Sequence, residues 1–201
     1  MRARRVRGIE VGGPLADNVE RIVQLRLEEL HGFIPAALDP DEVEALHDMR
    51  IAAKRLRYVL EVTAEECFGP YAAIAARRAK DLQDLIGEIH DCDVGLPRVT
   101  RAIDERREAD VTALLERAGD DALDLDPRLA ADLPHASEHR GLLSLHAYLQ
   151  ARRRLLYGRF LELWRELERE GFRARLEYAI AERPAITSPS PDGNVAVTPR
   201  P

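Results

Sequence analysis

Two short stretches concentrate positive charge. Residues 50–58 carry Arg50, Lys54, Arg55 and Arg57 with no acid among them, and residues 152–159 carry Arg152, Arg153, Arg154 and Arg159, again without an acid. Guanidinium groups present planar forks of donors that suit bidentate contact with phosphate oxygens. On a helix, which turns about 100° per residue, Arg50, Lys54 and Arg57 share an arc of about 80° beside His47. That arc flanks the apolar stripe of Leu46, Met49, Ala53, Leu56 and Leu60, whereas a solvated face ordinarily lies opposite the stripe. Arg26 falls inside the apolar arc of Val19, Ile22, Val23, Leu27 and Leu30, and His146 and Arg153 fall inside that of Leu142, Leu149, Leu156, Phe160 and Trp164. Lys80 shares a helix side with Arg77, and Asp84, one turn on, can neutralise it. A lone charge in a dry core is too costly to tolerate. These cations therefore either meet internal carboxylates or line a wet, basic cavity. Such a cavity calls for a ligand of high negative charge density: a phosphate chain, a nucleotide or a nucleic-acid backbone. Only Tyr58 and Tyr157 lie near the cations, so stacking of bases is poorly served, and a narrow linear polyanion fits better than a duplex. The basic residues Arg2 to Arg7 are read as a solvated terminus.

The elements that must hold these groups are helices. The 201 residues are 45 % apolar, 33 % charged and only 5 % aromatic, with Leu, Ala, Glu and Arg dominant; this mixture favours helix over a β-sandwich or barrel. Net charge is −6, but it is segregated: Asp120, Asp121, Asp124 and Asp126 crowd one stretch free of cations. No apolar run approaches the roughly 20 residues of a membrane span, and no signal-peptide core follows the basic N-terminus. Two cysteines, Cys67 and Cys92, make no disulfide framework and read as buried small residues. A cytoplasmic protein is expected. Helices are predicted over roughly 14–31, 40–64 and 70–90, with a bend between Gly87 and Gly95 that His90 and Asp93 would cap. Another is predicted to about residue 107, a short one over 109–118, and a long one over 136–170, with Gly171 before 172–182. Residues 119–135 read as loop. The expected division is a basic arm over 1–13, a helical domain over 14–182 and a disordered, Pro-rich tail over 183–201. Leu46, His47, Ala52, Arg55, Leu56 and Tyr58 align without a gap to Leu145, His146, Ala151, Arg154, Leu155 and Tyr157, an offset of 99 residues. An offset near half the chain indicates two related halves.

The segment from Leu46 to Glu61, which contains His47, Arg50, Lys54, Arg55 and Arg57, resembles the signature helix of the CHAD family, the conserved histidine α-helical domain. The run from Lys80 to Val94, with His90-Asp91, resembles that family's second motif. The clear match covers roughly residues 40–100. The resemblance implies an all-α helical bundle of two pseudo-symmetric halves around a basic groove or pore. It implies binding of inorganic polyphosphate, association with polyphosphate granules, and no catalysis, cofactor or metal. Carried over by position, His47, Arg50, Lys54, Arg55, Arg57 and Lys80 are the polyphosphate-binding residues; helical geometry adds Arg26, Arg77 and Arg153. The chain is short for two full bundles, and its second repeat has Leu149 and Leu156 in place of Arg50 and Arg57. The second half is therefore degenerate and poorer in cations.

Two other classes compete. An HD-type metal-dependent phosphohydrolase needs a His, a His-Asp pair and a further Asp to converge on metal, and His31, His47-Asp48, His90-Asp91 and Asp93 are the available groups. Asp48, however, lies about 100° round the helix from His47. A helical protein-interaction module would instead use the acidic stretch 119–132 and treat the cations as ordinary salt bridges.

Overall fold

The computed structural model describes residues 3–182, leaving aside the side chains of residues 64 and 65; the expected tail over 183–201 lies outside the described residues. It is all-α: α1 (Leu15–Gly32), a single turn α2 (Ile34–Ala37), α3 (Val43–Cys67), α4 (Pro70–Ala118), α5 (Ala136–Arg169) and α6 (Phe172–Ala181), with a 3-10 turn at Pro127–Asp132 and no strand among the described residues. Each break has a local cause. Gly69 leads into Pro70 in the first turn of α4, where a proline's missing N–H costs no helical bond. Gly119 (φ +84°) ends α4, and Gly171 (φ +66°) separates α5 from α6 in left-handed backbone that glycine adopts without penalty.

The largest departure from expectation is α4. Three helices and a bend were expected over residues 70–118; one helix of 49 residues runs through Gly87, Gly95 and Pro97. At 1.5 Å per residue it is about 74 Å long. The glycines serve packing. A Cβ on Gly87 would meet Arg50 Nε at 3.2 Å, and one on Gly95 would meet Leu149 Cδ1 at 3.2 Å. Their bare backbone lets α3 and α5 come close, and buried side chains on either side of them (Ile86, Ile89, Cys92, Val99) keep the segment helical.

α4 is the spine. Its first half pairs antiparallel with α3, and α5 returns along it. One core joins both ends of the chain: Val23, Leu27 and Leu30 of α1, Leu56 and Leu60 of α3, Ile86 and Ile89 of α4, Phe160, Trp164 and Leu167 of α5, and Leu176 of α6. Polar ties fasten it. Arg78 of α4 donates to Glu166 at 2.8 Å and also to Glu170, and the buried Tyr157 hydroxyl donates to the Ala37 carbonyl at 3.1 Å. Cys67 and Cys92 are both buried.

The repeat has a structural counterpart, the α3–α4 hairpin answering to α5–α6, but the halves are unequal. α6 has ten residues, and residues 114–131, which the offset pairs with α1, hold the end of α4 and the following loop. Equivalent positions also change environment. Leu156 is buried in the core and Leu149 packs against it; these replace Arg50 and Arg57 because in α5 that arc faces the protein interior.

Candidate functional site

The antiparallel pairing of α3 and α4 builds a row of polar side chains along one seam. At one end the imidazoles of His47 and His90 stack, centroids 4.5 Å apart. Next, Arg50 crosses above Gly87. Farther along, Lys54 and Arg57 bracket the Tyr58 ring, with Lys54 Nζ 5.5 Å and Arg57 Cζ 4.5 Å from its centroid. Arg57 is close enough to Lys80 of α4 to oppose its charge. Arg77, one turn earlier on α4, is exposed on the same side as Lys80. Four buried polar atoms on this seam have no hydrogen-bond partner in the protein: His47 Nδ1, Arg50 Nε, Arg57 Nε and Gln83 Oε1. Buried polar groups are nearly always paired, so four orphans on one line mark a place where the fold alone does not complete the bonding.

Carboxylates neutralise the row only in part. Asp84 accepts from Lys80 Nζ at 2.6 Å, an exposed contact that raises the lysine's pKa against the opposing charge of Arg57. Glu61 stands 3.5 Å from Arg57 Nε, in ion-pair range but without a hydrogen bond. Among the described residues no carboxylate lies in ion-pair range of Arg50, Lys54 or Arg77. Burial first, then the neighbouring His90, with Asp48 pulling the other way and Arg50 adding to the depression, hold His47 below its ordinary value of 6.5. It is therefore neutral at pH 7.

Other sequence-chosen cations are elsewhere and engaged. Arg26 pairs with the buried Glu29 at 2.7 Å and donates to the Arg4 carbonyl at 3.2 Å. Glu29 also accepts from the Arg4 backbone N–H at 2.7 Å, so this pair fastens the N-terminal arm to α1. Arg153 donates to Asp93 and, at 2.7 Å, to the Pro40 carbonyl, tying α5 to α4 and to the start of α3. Arg55 is half-buried on α3, about 80° round the helix from His47 and 100° or more from Arg50, Lys54 and Arg57. His90 and Asp93 cap no bend: one stacks on His47 and the other holds Arg153. Sequence reasoning missed Gln83, Gly87 and His90 as members of the row. Their spacing from Lys80 at three- and four-residue steps puts them on one face, and the expected bend hid it.

The convergence of a His, a His-Asp pair and a further Asp that an HD-type centre needs is not found among the described residues. His31 packs edge-on against Trp164 at 5.1 Å, apart from the His47–His90 pair, and among the described residues no three His, Cys, Asp or Glu side chains are grouped to hold a metal ion. Among those residues, too, no helix is long and apolar enough to cross a membrane.

The seam consists of the two segments that carry the signature helix and the second motif. Residues 5–100 match the CHAD domain. The CHAD match thus spans α1 to α3 and the first part of α4, including every member of the row, and begins inside the N-terminal arm that Arg26 and Glu29 hold down. Among curated proteins and among solved structures, nothing matches.

Proposed function

We propose that this protein binds inorganic polyphosphate, without catalysis, along the α3–α4 seam, in association with polyphosphate granules in the cytoplasm. The observation that carries the reading is Arg50. Its buried Nε has no partner in the protein and no carboxylate in range, yet it sits in line with Lys54, Arg57, Lys80 and Arg77. A phosphate chain supplies an anionic oxygen at each repeat and so can answer successive cations along a helix hairpin. Charge-assisted hydrogen bonds from guanidinium to phosphate are the strong class. His47 and His90 extend the row with donors that need no full charge. The second half, with Leu149 and Leu156 at the corresponding positions, gives a one-sided groove in place of a symmetric pore. Arg26 and Arg153 support the site by positioning the arm and α5; Arg55 contributes from the flank.

The test is a titration with long-chain polyphosphate at two salt concentrations, using wild type and an Arg50→Ala/Lys54→Ala/Arg57→Ala variant shown by circular dichroism to be folded. Charged hydrogen bonds contribute about 1.5–3 kcal/mol each, so loss of three should weaken binding by on the order of 100-fold or more. Binding by wild type that the triple variant retains would place the site elsewhere. Phosphate release on adding divalent metal would revive the hydrolase reading.

A further inference from the structure

The N-terminal arm is held at two points along α1. Near its start, the Arg4 backbone N–H donates to Glu29 at 2.7 Å and the Arg4 carbonyl accepts from Arg26 at 3.2 Å. Near its end, the Glu10 backbone N–H donates to Asn18 Oδ1 and the Glu10 carbonyl accepts from Asn18 Nδ2, both at 2.9 Å. Asn18 and Glu29 lie about 17 Å apart along the helix axis, whereas an extended chain from Arg4 to Glu10 reaches about 20 Å. The arm therefore has slack between its anchors. Gly8, at φ +72°, turns the backbone over the Arg21 side chain, whose Nε would stand 3.7 Å from a Cβ there. Among the described residues, residues 5–9 make no backbone hydrogen bond. Between the arm and α1 lies a cleft of about 970 Å³, whose lining includes Arg4, Arg5, Arg7, Arg21, Gln24 and Glu28.

The cleft holds more positive charge than its carboxylates answer. Glu28 stands 3.4 Å from Arg4, and Glu10 stands 3.4 Å from Arg21; both are exposed contacts of the weak class. Arg5 and Arg7 are exposed and, among the described residues, have no carboxylate in ion-pair range. Ordering a chain terminus costs backbone entropy, and here it also gathers like charges. An anion in the cleft would offset both. Guanidinium forks and unengaged backbone N–H groups are phosphate donors. No aromatic ring lines the cleft, so it offers a base no platform to stack on, and a bare phosphate chain suits it better than a nucleotide.

We infer that the cleft between the arm and α1 is a second phosphate-binding site, which takes a few units of an inorganic phosphate chain on Arg5, Arg7, Arg21 and the free amides of residues 5–9. The ligand class rests on the polyphosphate reading of the seam. The site itself shares no residue with the α3–α4 row, so the two can fail separately.

Amide spectra of the full chain titrated with inorganic tripolyphosphate test it, with sulfate at matched ionic strength as the control. Signals of residues 5–9 and Arg21 should shift saturably with tripolyphosphate and not with sulfate, both in wild type and in Arg50→Ala/Lys54→Ala/Arg57→Ala. Arg5→Ala/Arg7→Ala removes two exposed, unpaired side chains and should melt as wild type does. Its binding, read at Arg21, should be weaker by about tenfold or more. Asn18→Ala changes no charge but releases the arm at Glu10, and should weaken the same binding several-fold. Silence of residues 5–9 overturns the arm site; if the seam responds meanwhile, the polyphosphate reading stands without it. A response at the arm with a silent seam upholds the arm site and sinks the seam. Equal shifts with sulfate, or full affinity in Asn18→Ala, would reduce the arm to loose charge and overturn the proposal.

Discussion

Arg50 and Gly87 act as one unit. The glycine leaves room for the guanidinium above α4, and any side chain there must displace it, since even a Cβ comes to 3.2 Å of Nε. Leucine at this position should leave the helix intact, because leucine favours helix by most of a kcal/mol over glycine. It should also weaken polyphosphate binding by about tenfold; equilibrium titration beside a thermal melt separates the two effects. His47 gives a second prediction. Its folded pKa is depressed below 6.5, so the free protein loses stability as pH falls through the unfolded value towards the folded one. A bound polyanion favours the charged imidazole. Binding should therefore tighten on going from pH 8 to pH 6 and take up protons, and the change should be smaller in His47→Asn. Calorimetry in two buffers of different ionisation enthalpy reads the proton uptake.

Helix ends are held by side chains brought from far along the chain. Asp110 near the end of α4 accepts from His135 Nδ1 at 2.8 Å, from the His135 backbone N–H at 3.2 Å and from His139 Nε2 at 3.1 Å. This carboxylate clamps the start of α5, where a negative charge also suits the helix dipole. Burial pushes its pKa up, but the hydrogen bonds of His135 and His139 outweigh burial and hold it below 3.8. A depressed carboxyl contributes stability above the unfolded value, and that contribution is lost as pH falls through the folded value. Hydrogen exchange should show residues 136–142 protected at pH 5 and opening below about pH 4. In Asp110→Ala the same residues should exchange faster at both. The clamp closes over the 119–134 loop, so its loss should leave α1 and α3 unchanged.

One core joins the two halves of the molecule, although the family match ends at residue 100. Phe160 is fully buried, and Trp164 and Leu167 nearly so, in the same cluster as Val23, Leu27 and Leu56. Phe160→Ala should cost about 3–5 kcal/mol, a large part of a domain's net stability, read by denaturant unfolding. A chain ending at residue 118 should be helical yet melt without cooperativity, since α1, α3 and α4 would lose the face that α5 covers. At this scale the net charge of −6 says little about ligand choice. Affinity for polyphosphate should still fall steeply with salt, because the segregated row releases counterions on binding; a flat response would rule out the row as the site.

Composition and apolar periodicity were enough to establish an all-helical chain, the positions of α1, α3 and α5 to within three residues, and the shared face of Arg50, Lys54 and Arg57, because these depend on neighbours a turn or two away. Gly87 and Gly95 read locally as the limits of a bend. Only packing against α3 and α5 makes them part of one helix, since a glycine's reason can lie on another element. Likewise the type of a residue did not tell Arg26 and Arg153 from Arg50. All three are arginines beside apolar stripes, but Glu29 and Asp93 meet the first two, and tertiary contacts leave Arg50 without a carboxylate. The repeat was visible as letters; that Leu46, Met49 and Leu56 are buried while their counterparts Leu145, Tyr148 and Leu155 are exposed was decided by which helices the chain supplies to cover them.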